Sequence, residues 1–378
     1  MTNASGNVNL DPDLETKITA AFSELVQNEI GASFSAWKNG QAIVELSAGW
    51  CDKEKTIPWT QDTLAPVWSA TKGPMAATTL LALHRAGLSE ESEVARIWPE
   101  LPIGNASVGD LLSHQCGLAA LDDPPSIFDR EAVIKALEKQ SPNWSAGNHG
   151  YHPRTIGFLA DELLRRVDGR SLGDFWLEEI ATPNEIDFFV GCPESAHERI
   201  ATLIPARPGG GGGHPREFYR AFAEPDSLTR RAFGSPRGLS TVSEMNSPKA
   251  WLAGFPAMGG VGSASGLAKF YQVLLGPDFA DLLPALSTRL SSGIDQIQRV
   301  PTSFSFGMMM DPLDDFGKKQ RHLFGANASA FGHPGAGGSY GFADPDSGWS
   351  FAFVMNHFEA NLYPNDSRRA LAEIILNS

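Results

Sequence analysis

No apolar run in this chain approaches the roughly 18 residues of a membrane-spanning helix. No cluster of lysine and arginine forms a stripe that could track a phosphate backbone. Cysteine is scarce, with three in 378 residues. Cys51, Cys116 and Cys192 lie far apart and in no metal-like spacing, so free thiols in a reducing compartment are expected. Charge is sparse at 20%, and its balance is acidic: 30 Lys and Arg against 44 Asp and Glu give −14. That deficit of positive charge argues against nucleic acid as a partner and disfavours anionic membranes. Residues Met1 to Asn7 lack the basic region and apolar stretch of a secretory signal, and the expected location is cytoplasmic. What is present is 42% hydrophobic residues with 38 Gly, 26 Pro and nine Trp. These belong to a loop-rich globular protein long enough for two domains or one large one.

Leu14, Ile18, Phe22 and Leu25 or Val26 recur at helical spacing over residues 12–29, with Pro12 and Asp13 suited to the first turn. Ala32 to Trp37 and Gln41 to Leu46 flank Asn39-Gly40, a strong hairpin signal. Near the other end, Phe304 to Phe306 with Met308 to Met310, and Trp349 to Met355, read as strands, and Ser367 to Leu376 reads as a closing helix. The middle is mostly helical pattern joined by Pro/Gly connections. The expected class is α+β: an antiparallel sheet flanked by N- and C-terminal helices, with an inserted all-helical domain. The sheet domain is expected from residues 1–67 and 296–378, and the helical one from 68–295. Gly209 to Gly213 lacks the strand before it and the Lys-Ser/Thr after it that a phosphate loop needs, so it reads as a loop.

Ser-x-x-Lys occurs twice. Ser35 and Lys38 fall in a strand, where residues three apart point to opposite faces. Ser69 and Lys72 open a helical run, with Pro74 in its first turn. There, residues i and i+3 share a face, and an amine whose pKa is depressed by burial and the helix N-terminus can activate a serine. Tyr151 precedes the helix Thr155 to Val167 and is set in a turn by Pro153; a phenol near a lysine can act as a general acid or base. Tyr271 reads as core. His333-Pro334-Gly335-Ala336-Gly337-Gly338-Ser339 is small enough to bring backbone close to a ligand, and a free N–H there could complete an oxyanion hole.

Ser69-x-x-Lys72, Tyr151 and His333-Pro334-Gly335, in this order, resemble the serine β-lactamase and penicillin-binding-protein superfamily, especially its class C-like branch and the family VIII carboxylesterases. Val108 to Leu118, Arg165 to Gly173, Gly337 to Pro345 and Phe353 to Asn356 carry the resemblance along the chain from about residue 30. It implies a β-lactamase-like fold, with Ser69 the acylated nucleophile, Lys72 its base or proton relay and Tyr151 a proton carrier. The backbone N–H groups of Ser69 and Ala336 would hold the oxyanion, and His333 and Gly335 would meet the substrate. It implies no cofactor and no metal, and a small-molecule ester as substrate. Two departures weaken recognition of β-lactams and peptidoglycan peptides without disabling acyl transfer to a simple ester. Pro153 replaces the Asn of Tyr-x-Asn, and His333-Pro334-Gly335 replaces Lys-Thr-Gly.

Other chemistries are less well supported. Gly337-Gly338-Ser339-Tyr340-Gly341 fits Gly-x-Ser-x-Gly, but no helix pattern follows it. His149 and His152 lack the Glu and helical spacing of a zinc protease site. The expected activity is a serine carboxylesterase for short acyl chains. Its alternatives are β-lactamase or D-Ala-D-Ala peptidase-like activity, acyl transfer, or a catalytically silent binder of the same fold.

Overall fold

The computed structural model describes residues 4–205, 216–359 and 363–378; the Gly209–Gly213 loop expected from sequence lies outside them. The strands are β1 (Ser5–Val8), β2 (Gly31–Lys38), β3 (Gln41–Gly49), β4 (Ala65–Pro66), β5 (Phe188–Val190), β6 (Gly260–Gly262), β7 (Ser291–Ile294), β8 (Pro301–Phe304), β9 (Met309–Met310), β10 (Phe331–Pro334), β11 (Tyr340–Asp344) and β12 (Trp349–Met355). A nine-stranded antiparallel sheet runs β1-β3-β2-β12-β11-β10-β9-β8-β7, and a three-stranded one runs β4-β6-β5.

The first helix, Pro12–Val26, begins where the Asp11 side chain accepts from the Leu14 N–H at 3.1 Å, and it buries Leu14, Ile18, Phe22, Leu25 and Val26. Asn39 and Gly40 both take positive φ, 51° and 75°, which the tight β2–β3 turn requires and which matches the twist of its strands. Near the middle of the sheet, β12 shows how one strand serves two cores. Phe351, Phe353 and Met355 pack with Phe22, Leu371 and Ile375 of the terminal helices. Ala352 and Val354 face the helical middle with Leu267 and Phe270. That alternation is the period of two of a pleated strand, and each large side chain so buried contributes about 1.5–3 kcal/mol.

Two features correct the sequence reading. Residues 304–310 are not one strand: the Ser305 N–H bonds to the Met308 carbonyl at 3.0 Å, and Gly307 turns at φ 70°. The chain doubles back between β8 and β9. The helical middle, expected to be all-helical, also contains the small sheet β4-β6-β5.

Candidate active site

β4 leads into a short 3₁₀ turn, Trp68–Thr71, that runs into the helix Lys72–Arg85. Trp68 sits at φ 51°, a costly conformation for a bulky residue, and it is held from both sides. The Val67 N–H donates to the Gly260 carbonyl at 3.0 Å, and the Gly260 N–H donates to Thr71 Oγ1 at 2.9 Å. On the other flank, a Cβ at Gly335 would lie 2.0 Å from the Val67 carbonyl oxygen, so glycine there lets the end of β10 close onto the serine turn.

Lys72 is fully buried. Its Nζ lies 2.7 Å from the Pro153 carbonyl oxygen, 2.8 Å from that of Ala257 and 3.2 Å from Ser69 Oγ. Carbonyls only accept. A neutral amine therefore spends its two hydrogens on them and directs its lone pair at the serine hydroxyl. Burial, reinforced by the Arg154 charge, pulls the lysine pKa well below its ordinary value. The helix N-terminus invoked from sequence is not the leading cause; desolvation is.

Tyr151 is 3% exposed. Its ring lies 6.1 Å from Phe304 and 5.8 Å from His333, and Lys72 Nζ lies 4.8 Å from its centroid. Burial raises the phenol pKa, opposed by a hydrogen bond with Ser69, so at neutral pH it is a proton donor beside the serine. Its backbone is fixed by Asp295, whose carboxylate accepts the Tyr151 N–H at 3.0 and 3.1 Å. The same carboxylate accepts Thr302 Oγ1 at 2.9 Å, and His149 Nε2 lies 2.8 Å from that hydroxyl.

The four histidines around this core are neutral. His152 Nε2 accepts from the Leu118 N–H at 2.9 Å, which leaves Nδ1 to donate to the Gly150 carbonyl at 2.7 Å. His333 Nδ1 donates to the Pro334 carbonyl at 2.7 Å, leaving Nε2 buried and without a partner among the described residues. Burial lowers the pKa of His114, His149, His152 and His333, that of His152 to about 3. His333 is therefore a neutral imidazole, not the cation its place in the motif could supply.

Below the unfolded value of about 6.5, the unfolded chain takes up protons that the folded one refuses. Each histidine then costs about 1.4 kcal/mol per pH unit until its folded pKa is reached. The urea midpoint is expected to fall steadily from pH 7 to pH 5. A midpoint flat across that window would show that these rings can charge in place.

The backbone N–H groups of Ser69 and Ala336 bond to no backbone carbonyl among the described residues, and both residues line one cavity of about 510 Å³. Its apolar wall includes Phe218 and Phe222 of the helix Arg216–Ala223, and Phe233. Ser339 is fully buried ahead of β11, and its Oγ accepts from the Met355 N–H at 3.4 Å. Ser35 Oγ accepts from Trp37 Nε1 at 3.0 Å, while Lys38 lies over the Trp349 ring. Tyr271 is fully buried core. Sequence reasoning missed Asp295, the Ala257 carbonyl and Arg154, because a carboxylate 144 residues from its tyrosine carries no spacing signal.

Comparison with known proteins gives matches over most of the chain. The Beta-lactamase family profile matches residues 18–375. Esterase/beta-lactamase LipL of Mycobacterium tuberculosis is 30% identical over 353 residues, covering 89% of this chain and 79% of that protein. The crystal structure of a family VIII carboxylesterase superposes with a TM-score of 0.85 at 26% identity, over 99% of each chain. A penicillin-binding protein homolog from Caulobacter crescentus does so with a TM-score of 0.83 at 30% identity, over the whole of both chains. With that match over nearly its full length, and with the terminal helices, antiparallel sheet and helical insertion in place, the chain belongs to the beta-lactamase family.

Proposed function

We propose that this protein is a serine hydrolase that cleaves short-chain carboxylic esters through an acyl-enzyme on Ser69. The observation that carries the reading is the Lys72 amine, committed to two carbonyls and 3.2 Å from Ser69 Oγ. Lys72 takes the serine proton as Oγ attacks the ester carbonyl. The N–H groups of Ser69 and Ala336 receive the developing oxyanion. Tyr151 protonates the departing alkoxide and recovers a proton from the lysine. The same groups then activate water for deacylation. The esterase names of LipL and of the family VIII structure support this reaction class.

β-Lactam hydrolysis is the second reading, supported by the other half of the LipL name. Against it stand Pro153, which turns a carbonyl to Lys72 and has no amide side chain to offer, and the neutral His333. Labelling with a fluorophosphonate should modify Ser69. 4-Nitrophenyl acetate and butyrate should be turned over with kcat/KM at least about a hundredfold above a chromogenic cephalosporin. A label on Ser339, or a cephalosporin preferred to both esters, overturns the proposal.

A further inference from the structure

The cavity at Ser69 carries an imbalance of charge that ester cleavage alone does not need. In a protein with a net charge of −14, its lining contains Arg154 and Arg230 and no carboxylate. Arg154 is 4% exposed. It donates to the Phe233 carbonyl at 3.2 Å and to that of Gly238, while its Nε is buried without a partner among the described residues. The carboxylate whose field reaches it, Glu244, is occupied by the Ser240 and Thr241 N–H groups at 2.8 and 2.9 Å. Arg230 is exposed and, among the described residues, reaches only the Ala223 carbonyl, at 3.5 Å. Other arginines of the helical region, Arg130, Arg165 and Arg170, each face a carboxylate. Desolvation brings the Arg154 pKa down to about 10, the mark of a buried cation whose counter-charge is missing. The same cavity is also lined by the apolar side chains of Phe218, Phe222 and Met258.

We propose that the cavity selects esters whose acyl chain ends in a carboxylate, the hemiesters of short dicarboxylic acids, with Arg154 and Arg230 receiving the distal carboxylate and the apolar wall covering the methylenes. This rests on the esterase reading and names its substrate class. Ser69 Oγ forms the acyl bond as the ester C–O bond breaks and the alcohol leaves with the serine's proton. Water then cleaves the acyl bond, releasing the dicarboxylic acid and restoring the serine hydroxyl. The anion site lies at Arg154, not at the neutral His333.

The test compares 4-nitrophenyl hemiadipate with 4-nitrophenyl hexanoate, which share a six-carbon acyl skeleton and differ in the terminal carboxylate. The kcat/KM ratio of hemiadipate to hexanoate is expected to be about ten or more at low ionic strength. About 0.5 M NaCl should compress it, by screening the exposed Arg230. Arg230→Gln, an exposed change without folding risk, should lower the ratio about threefold to tenfold. Arg154→Lys should retain more of the ratio than Arg154→Met. A ratio at or below one in the unmodified protein, or one unmoved by Arg230→Gln and by salt, overturns the inference while hexanoate turnover leaves the esterase reading standing. Turnover of neither ester overturns that reading and the inference with it.

Discussion

Lys72→Met is expected to lower kcat/KM for 4-nitrophenyl butyrate by about 10³–10⁴-fold, and Ser69→Ala by no less. The serine hydroxyl is a weak nucleophile unless its proton has somewhere to go, and among the described side chains the Lys72 amine is the base set against it. Burial holds that amine toward its neutral form. Methionine fills a similar volume without the cost of burying an amine, and in exchange leaves the Pro153 and Ala257 carbonyls without their donor. The opposing terms should keep Tm within about 5 °C of the unmodified protein. Because the base works only when neutral, kcat/KM of the unmodified enzyme should decline as the pH falls through the lowered lysine pKa, and Lys72→Met should lose that limb. Serine and lysine act as a unit, so the double variant should be no slower than Ser69→Ala. Additive losses would remove the lysine from the serine's proton transfer.

Asp295→Ala is expected to cost about 3–5 kcal/mol of stability and about 10²-fold in kcat. The carboxylate is fully buried and accepts from the N–H groups of Tyr151, Ile297 and Gln298 and from the Thr302 hydroxyl. Alanine strands all four donors, and each stranded buried donor carries its own desolvation penalty. It also frees the Tyr151 backbone, so the phenol loses its place beside Ser69 and the loss should appear in kcat more than in KM. Asp295→Asn keeps the shape but brings an NH₂ against these donors, and should fall between the two. Urea unfolding and steady-state kinetics on the three proteins check this; an unchanged midpoint in Asp295→Ala would remove the anchoring role.

Much of the architecture can be read along the chain, because its determinants are local. The spacing of Leu14, Ile18 and Phe22, the Asn39-Gly40 turn and the alternation in Trp349 to Met355 each report a helix face, a hairpin or a two-faced strand within a few residues. The reading failed at Gly307, where two short strands and the turn between them look like one apolar run. It also failed in the middle segment, where β4, β5 and β6 are two or three residues long, too short for a period to register.

At the site the same division holds. The pairing of Ser69 with Lys72 follows from local helical geometry, which sets residues three apart side by side whatever surrounds them. The chemical state of that pair does not. The lone pair of Lys72 is directed by carbonyls at residues 153 and 257, Tyr151 is held by a carboxylate at 295, and His333 is neutral because the fold buries it. Local pattern carried the longer elements, the family and the candidate reactive side chains. Only the tertiary structure decided which of them are charged and where their hydrogens point, since protonation depends on desolvation and on partners that the chain brings together from distant positions.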